Sequence, residues 1–485
     1  MILIKEKKDN KMVKIQYNKI DQVVLKRLRD IVGDQFVITD KEKKEPYSHD
    51  EIPEEKYAHM PEVVIKPKTV GEIAEIVKLA NDKLFPVTPR GAGSGLSGGA
   101  VPIFGGVVLS VERMNKIIEI DEQNMMAVVE PGVVTNELNE KVKNRGLYFA
   151  GYPMSVETCF IGGNVAENAG GGKAVKYGVT ERYIIGLEFV TPTGEIVEVG
   201  GKRVKDVTGY NLRSFLVGSE GTLGIITKVI IKLLPLPKAK VDLFVLFPDV
   251  KSAIEIVPKI MTQCGIIPTT IEFMDYISIH YACKYLNENI PYENSGAMLL
   301  IEVDGSDEQV VEKEYDTIGN LCMDNGAQEV YVADNYTTQE RLWRIRRNLG
   351  EARRNYNRYE SIEDIVVPIA QIPDLISEIE KISKKHNMQI VIHGHAGDGN
   401  LHTNIVKNPK NTDGDWNRKL PRVQKDLYIA AKNLGGTISG EHGIGHKRKK
   451  FMPIFSTEAE LEFMRKIKRA VDPNNILNPG KIFDV

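Results

Sequence analysis

The sequence predicts an α+β protein in two unlike halves. Glycine crowds into two segments, PVTPRGAGSGLSGGAVPIFGG at 86–106 and GYPMSVETCFIGGNVAENAGGGKAVKYG at 151–178, set among short β-like runs. From 238 onward the texture changes: helical stretches such as KSAIEIVPKIMTQ and QERLWRIRRNLGEARRNYNRY alternate with strands such as AMLLIEVDG and MQIVIHGH, which suits an α+β domain with an antiparallel sheet. Five of the nine histidines lie between 393 and 446.

Composition bounds the function. With 485 residues, 42% of them apolar and 27% charged, the chain is neither disordered nor fibrous. Sixty-four Lys+Arg against 66 Asp+Glu leave a net charge of -2, which argues against nucleic acid as a partner. Mean hydropathy is -0.23, and no apolar run approaches the roughly 18 residues of a membrane span. The opening MILIKEKKDNKMVK lacks the apolar core of about 7–15 residues that a secretory signal needs. The four cysteines, at 159, 264, 283 and 322, form no C-x-x-C pair, so neither a metal knuckle nor a four-cysteine iron–sulfur run is expected. The expectation is a cytoplasmic, reduced protein.

Taken in order, residues 1–57 read as a charged, helical extension, with Val23, Val24, Leu28 and Ile31 at helix spacing. Its lysine-rich first 45 residues suit either a docking arm or a solvated extension. Residues 58–237 form the glycine-rich domain, with runs such as VVLSVE, MAVVEPG and LGIITKVIIKLLPLP and a turn at Thr193-Gly194. Leu234-Pro235-Leu236-Pro237 marks its end, and 238–485 forms the second domain.

Glycine lacks Cβ, so successive backbone N–H groups of 91–99 can turn toward one anion, a pyrophosphate above all. No amphipathic helix follows, as a βαβ dinucleotide fingerprint requires, and no Gly-Lys-Ser/Thr occurs. Gly162-Gly163-Asn164 and Asn168-Ala169-Gly170-Gly171-Gly172 allow a second close approach, so the pair suggests one long dinucleotide across the domain.

PRGAGSGLSGGAVP, ETCFIGGNVAENAGGGKAVKYG and GSEGTLGIIT resemble the FAD-binding domain of the vanillyl-alcohol-oxidase/cresol-methylhydroxylase superfamily, and the second half resembles the cap domain of its D-2-hydroxy acid dehydrogenases, over about residues 40–485. The resemblance implies a two-lobed FAD-binding domain followed by an α+β cap whose C-terminal segment returns to the FAD. It implies that Pro89, Arg90, Gly91, Ala92, Gly93, Ser94, Gly95, Gly98 and Gly99 cradle the pyrophosphate. It also implies that Pro153, Ser155, Thr158, Gly162, Gly163, Asn168, Gly172, Gly224, Ile226 and Asn478 line the cofactor. Relatives that tether FAD do so through a histidine in the first loop; none stands here, so non-covalent FAD is expected. Cys159 reads as a small buried residue rather than a tether.

The segment MQIVIHGHAGDGNLHTNIV reads as a hairpin. With Gly397–Asn400 as the turn, His395 faces His402, and His393 with Asn404 forms the next pair on the same face. Opposed imidazoles can share one divalent cation, and Glu441 can complete a two-histidine, one-carboxylate site with open positions. The adjacent His442 suits a general base. The resemblance implies the same set: His395, His402 and Glu441 as ligands of zinc, manganese or iron, and His442 as base. It further implies that Arg346 grips the substrate carboxylate, the donor geometry of a guanidinium being suited to it; His393 and Asn404 are expected to contact substrate. An ether-lipid synthase of similar fold carries a run of histidines where Glu441 stands, which argues against that activity. The 2-hydroxyglutarate enzymes place a threonine and a lysine where Gly350 and about Ile362 stand, which points instead to a monocarboxylate, D-lactate first and glycolate next. Electrons are expected to pass from FAD to a partner such as an electron-transfer flavoprotein or an iron–sulfur subunit. The alternatives are a 2-hydroxyglutarate-type dehydrogenase, a non-catalytic flavin-holding subunit, and metal-assisted hydrolysis, which leaves the glycine segments unexplained.

Overall fold

The computed structural model describes residues 16–357 and 359–485. Its first helix, Gln22–Val32, starts where the Asp21 carboxylate accepts from the Val24 N–H at 2.8 Å. The face it buries is Val24, Leu28 and Val32, packed on the helix Val70–Lys83. Val23, by contrast, is 66% exposed, so the apolar stripe runs i, i+4, i+8 from Val24 rather than from Val23. Residues 22–38 thus contribute to the core of the first lobe and do not form a solvated extension. Residues 1–15, part of the expected docking arm, lie outside the described residues.

Two sheets carry the first lobe. One has four strands in the order Val37–Ile38, Val63–Ile65, Val107–Ser110, Val87–Arg90, the last three mutually parallel. The other has five antiparallel strands in the order Ile117–Asp121, Met126–Val129, Ile225–Lys232, Ile184–Val190, Ile196–Gly200. The expected turn at Thr193-Gly194 joins the last two, with Gly194 at φ +91°. The 91–106 segment between Val87–Arg90 and Val107–Ser110 contains no helix. Gly93 has φ +78°, and a Cβ there would stand 2.0 Å from the Arg90 guanidinium, so only glycine fits.

Past Leu234–Pro235 the chain enters a seven-stranded antiparallel sheet. Its order is Glu329–Ala333, Ala239–Phe247, Ala297–Gly305, Thr270–Asp275, Gln389–His395, Asn400–Val406, Glu360–Val366. Alternation at period two divides its faces. Leu243, Val245, Phe247, Ile271, Phe273, Leu299, Ile301, Ile365, Ile392, Leu401 and Ile405 point to one side, under helices that include Ile372–His386 and Asp413–Asn433. The opposite face begins apolar, with Phe244, Leu246, Met274, Met298 and Leu300 under the helices Tyr276–Leu286, Tyr336–Arg347 and Leu349–Tyr356. It turns polar where it meets the first lobe: Glu272, His393, His395, Asn400, His402, Asn404, Glu360 and Asp364 are all buried there.

The C-terminal segment returns to the first lobe. Leu477 makes a parallel bridge to Val87, and Asn478 Nδ2 donates to the carbonyls of Gly99 (2.8 Å) and Glu220 (2.7 Å). Lys468, only 2% exposed, holds this return: its Nζ donates to Thr222 O (2.7 Å), Leu477 O (2.8 Å) and Asp472 Oδ2 (2.5 Å). Replacing it, Lys468→Met, leaves Asp472 as an unpaired buried charge and should lower stability by about 3–5 kcal/mol. Urea unfolding measures this, and an unchanged midpoint would mean the ion pair does not hold the tail.

Candidate functional site

A cavity of about 410 Å³ runs between the glycine segments of the first lobe and the polar face of the cap sheet. Of the residues expected to hold a dinucleotide, Pro89, Arg90, Gly91, Ala92, Gly93, Ser94, Gly95, Gly99, Pro153, Ser155, Gly162, Gly163, Gly224 and Ile226 line it. Arg90 lines it at its root only: its guanidinium donates away from the loop, to the carbonyls of His49 (2.7 Å) and Pro46 (2.9 Å).

Five others, Gly98, Thr158, Asn168, Gly172 and Asn478, do not line it. Gly98 donates its N–H to Asp50 Oδ2 at 2.7 Å. Thr158 is exposed and caps the turn at Ser155. Asn168 ends the helix Ile161–Glu167 in the left-handed region, φ +52°, and accepts from Glu181 N. Asn478 braces Gly99. Gly172 abuts the cap: a Cβ there would lie 2.1 Å from Glu272 Oε1 and 3.2 Å from His395 Nδ1. Cys159 lines the cavity, but its Sγ contacts Thr135 Oγ1 at 3.3 Å and burial raises its thiol pKa.

The hairpin register differs from expectation by two residues. Ala396–Asp398 is a 3₁₀ turn closed by Gly399 at φ +85°, so His395 pairs with Asn400, His393 with His402, and Val391 with Asn404. A slip of two preserves the face. His393, His395, His402 and Asn404 therefore still converge, with the His402 ring centroid 5.2 Å from both other imidazoles.

Three imidazoles meet at one carboxylate oxygen. Glu441 Oε1 lies 3.4 Å from His395 Nε2, 3.3 Å from His402 Nε2 and 3.3 Å from His442 Nε2. The His402 and His442 rings stack at 5.0 Å. Behind the site stand two carboxylates that the sequence reading missed. Glu272 Oε1 is 2.6 Å from His395 Nδ1, and Asp364 Oδ1 is 3.6 Å from His402 Nδ1. Asp364 Oδ2 also collects Ser439 Oγ (2.6 Å) and the N–H groups of Gly440 (2.9 Å), Glu441 (2.9 Å) and His442 (2.8 Å), which aims the whole loop. The Glu272 carboxylate hydrogen-bonds His395 at Nδ1 and turns its Nε2 forward, the arrangement of a metal ligand, while Asp364 stands near His402 Nδ1 without hydrogen-bonding it. His395 Nε2 and Glu441 Oε2 are buried without a hydrogen-bond partner.

The imidazoles and Glu441 are donors of the kind a divalent cation takes, and of the expected ligands His395 faces Glu441 Oε1 at 3.4 Å but stands outside the tightest group. Asp364, His402, Glu441 and His442 each bring one ligand-type atom within 4.8 Å of one another. Asp364 is already committed to the loop, and His442 Nδ1 has no hydrogen-bonding carboxylate behind it, Asp364 Oδ2 being 3.9 Å away.

Electrostatics follow the geometry. Burial alone would raise the Glu272 carboxyl, but Arg346 and His395 overcome it and hold its pKa at about 2. Burial likewise opposes ionisation of Glu441 and Asp364, yet His395 keeps the first, and His442 with His402 the second, well below the usual range. Burial lowers His402 to about 4, and burial with Arg353 and Arg346 takes His393 well below its ordinary value.

Arg346 is 5% exposed, its Nε donates to Glu272 Oε2 at 2.6 Å, and its Nη2 is buried without a partner beside the cavity. Gly350 and Ile362 line the same cavity, as do Arg347, Arg353 and Arg354.

Known proteins agree with this architecture. Residues 61–200 match the FAD binding domain model, and residues 236–482 match that of the FAD linked oxidases, C-terminal domain. The chain belongs to the FAD-linked oxidase family. It is 39% identical to the glycolate oxidase subunit GlcD of Bacillus subtilis, over 90% of this chain and 92% of that one. It is 35% identical to the D-lactate dehydrogenase of Anaerostipes hadrus, over 97% of this chain and 99% of that one. The fold is shared with p-cresol methylhydroxylase, at a TM-score of 0.77 and 19% identity over 95% of this chain and 96% of that one. Alkyldihydroxyacetonephosphate synthase shares it at a TM-score of 0.74 and 20% identity over 96% and 87%. The protein is thus an FAD-dependent oxidoreductase. Among the described residues no helix is long and apolar enough to cross a membrane.

Glu272 gives a pH test. Its folded pKa lies below the ordinary 4.5, so its stabilising effect is complete above pH 4.5 and is lost as the pH falls toward 2. Glu272→Gln should therefore cost about 3–5 kcal/mol at pH 7, with the gap to the native protein narrowing from pH 4.5 downward in urea titrations. A gap that stays constant to pH 3 would mean the carboxylate is not paired.

Proposed function

We propose that this chain oxidises a small D-2-hydroxy acid, D-lactate first and glycolate next, to the 2-oxo acid. What supports the reading is the meeting, on one cavity wall, of an unpartnered Arg346 Nη2 with the Glu441 and His442 pair. FAD, when bound across the glycine segments, supplies a two-electron acceptor for the hydride that leaves substrate Cα. A divalent cation held by His395, His402 and Glu441 would supply Lewis-acid polarisation of the hydroxyl.

The chain's own residues do the rest. Arg346 binds the substrate carboxylate while Glu272 holds the guanidinium in place. His442, with its Nε2 toward Glu441 and its backbone N–H pinned by Asp364, takes the hydroxyl proton. Loss of that proton and of the Cα hydride turns the alcohol into a ketone, which balances the reaction. Gly350 and Ile362 leave the far end of the cavity without a lysine or threonine for a second carboxylate, which favours a monocarboxylate. Arg347 and Arg354, both on the cavity wall, favour the second reading, a dicarboxylate such as D-2-hydroxyglutarate. We assign electron removal to a partner protein, such as an electron-transfer flavoprotein or an iron–sulfur subunit: the four cysteines are dispersed and unpaired, and no nicotinamide fingerprint stands in the sequence.

Anaerobic addition of D-lactate, glycolate or D-2-hydroxyglutarate, with flavin absorbance as readout, tests the reading. D-lactate should bleach the flavin fastest, and no bleaching by any of the three would sink it. His442→Ala should slow flavin reduction by about 10²–10⁴-fold with the yellow cofactor retained; reduction at the native rate would remove His442 as base. Glu441→Gln should lower the divalent metal content measured by inductively coupled plasma mass spectrometry without loss of FAD. Full metal content in that variant would place the ion elsewhere.

A further inference from the structure

His393 stands on the same face as His395 and His402, yet its surroundings are of the opposite kind. We propose that Arg353 is a positioning residue that fixes His393 as its Nε2–H tautomer, so that His393 becomes a neutral hydrogen-bond donor to the substrate carboxylate beside Arg346. This deepens the proposed function and rests on its assignment of the carboxylate to Arg346.

Arg353 is 3% exposed on the helix Leu349–Tyr356. Its Nε donates to Glu360 Oε2 at 3.0 Å, its Nη2 to Asn404 Oδ1 at 3.1 Å, and its Nη1 lies 3.5 Å from His393 Nδ1. A guanidinium has donors and no acceptor, so the Asn404 group facing it is the oxygen. The other end of that amide faces the carbonyls of His402 (3.2 Å) and Val391 (3.4 Å), which only accept, so it is the nitrogen. That nitrogen lies 3.2 Å from His393 Nδ1. The amide has two hydrogens for these three acceptors, and Val391 O is the farthest of them; with Arg353 Nη1 also turned to it, Nδ1 faces donors and offers a lone pair, and the ring proton is left on Nε2.

The contrast with the neighbouring rings is direct. The acceptor behind His395 is the Glu272 carboxylate, which takes a hydrogen from Nδ1, and the side chain nearest His402 Nδ1 is again a carboxylate, Asp364. A guanidinium and an amide behind His393 do the reverse. His393 and Asn404 line the substrate cavity together with Arg346. An Nε2–H there cannot ligate a metal or take a proton from substrate. It can donate to an oxygen, and the oxygen that the Arg346 grip leaves over is the second one of the carboxylate.

The holoenzyme labelled with ring ¹⁵N-histidine tests this, with His393 assigned by the signal lost in His393→Gln. Long-range ¹H–¹⁵N correlations should show His393 protonated at Nε2 and bare at Nδ1. Oxalate, which carries carboxylates but no hydrogen to lose, should shift that Nε2 signal on titration. His393→Phe should weaken oxalate binding and raise KM for D-lactate by roughly tenfold with kcat within about twofold; His393→Gln, whose amide nitrogen stands near Nε2, should recover most of it. Arg353→Lys keeps a donor and should keep the tautomer, whereas Arg353→Met/Glu360→Met, which removes both buried charges together, should mix the two tautomers. A bare Nε2 in the native protein, or oxalate affinity unchanged in His393→Phe, would overturn the proposal. Failure of D-lactate and glycolate to reduce the flavin would strike the proposed function alone, because the tautomer and oxalate readouts need no turnover.

Discussion

One buried carboxylate is shared between two tasks. Glu272 gives Oε1 to His395 and Oε2 to Arg346, so the imidazole that faces the candidate metal site and the guanidinium that faces the cavity are set by the same side chain. A buried carboxylate is costly unless its oxygens are hydrogen-bonded and a countercharge stands beside it; here each oxygen has a donor at 2.6 Å and Arg346 supplies the charge. The first lobe contributes to the same knot: Gly172 approaches so closely that any Cβ would collide with that oxygen. The distance between the two lobes is thus fixed at the site itself.

The seven-stranded sheet explains how such a polar cluster is built without collapsing the fold. Its apolar face is filled by helices, which leaves the other free to change character along its width. At the centre that face is still Met274, Met298 and Leu300; from the next strand on it is histidine, asparagine and carboxylate. Polar groups there answer others from adjacent strands, as Asp364 pairs in register with His402 and Glu272 with His395. Strand pairing thus does the positioning that loops would do less rigidly.

Much of this was legible in the sequence because it is carried by local pattern. The glycine segments, the absence of a helix after 91–99 and the histidine hairpin all announce themselves within a few residues. The face shared by His393, His395, His402 and Asn404 survived a wrong register because an error of two leaves alternation intact. What was not legible was long-range. Glu272 is 123 residues from the imidazole it orients, and Asp364 is 77 residues from the loop it pins. Nothing in TTIEFMD or ESIEDIVVP separates them from ordinary alternating strands. Arg353 was hidden for a different reason: nothing in a helical stretch rich in arginine tells which side chain is buried until the helix is seen to lie over a sheet.

The return of the chain end has a consequence for biosynthesis. Asn478 braces Gly99 from 379 residues further along, and Leu477 extends the sheet beside Val87. The cradle that faces the nucleotide therefore stays unfinished while the ribosome still holds those residues. A nascent chain that has reached only the cap carries the glycine segments without the contacts that brace them.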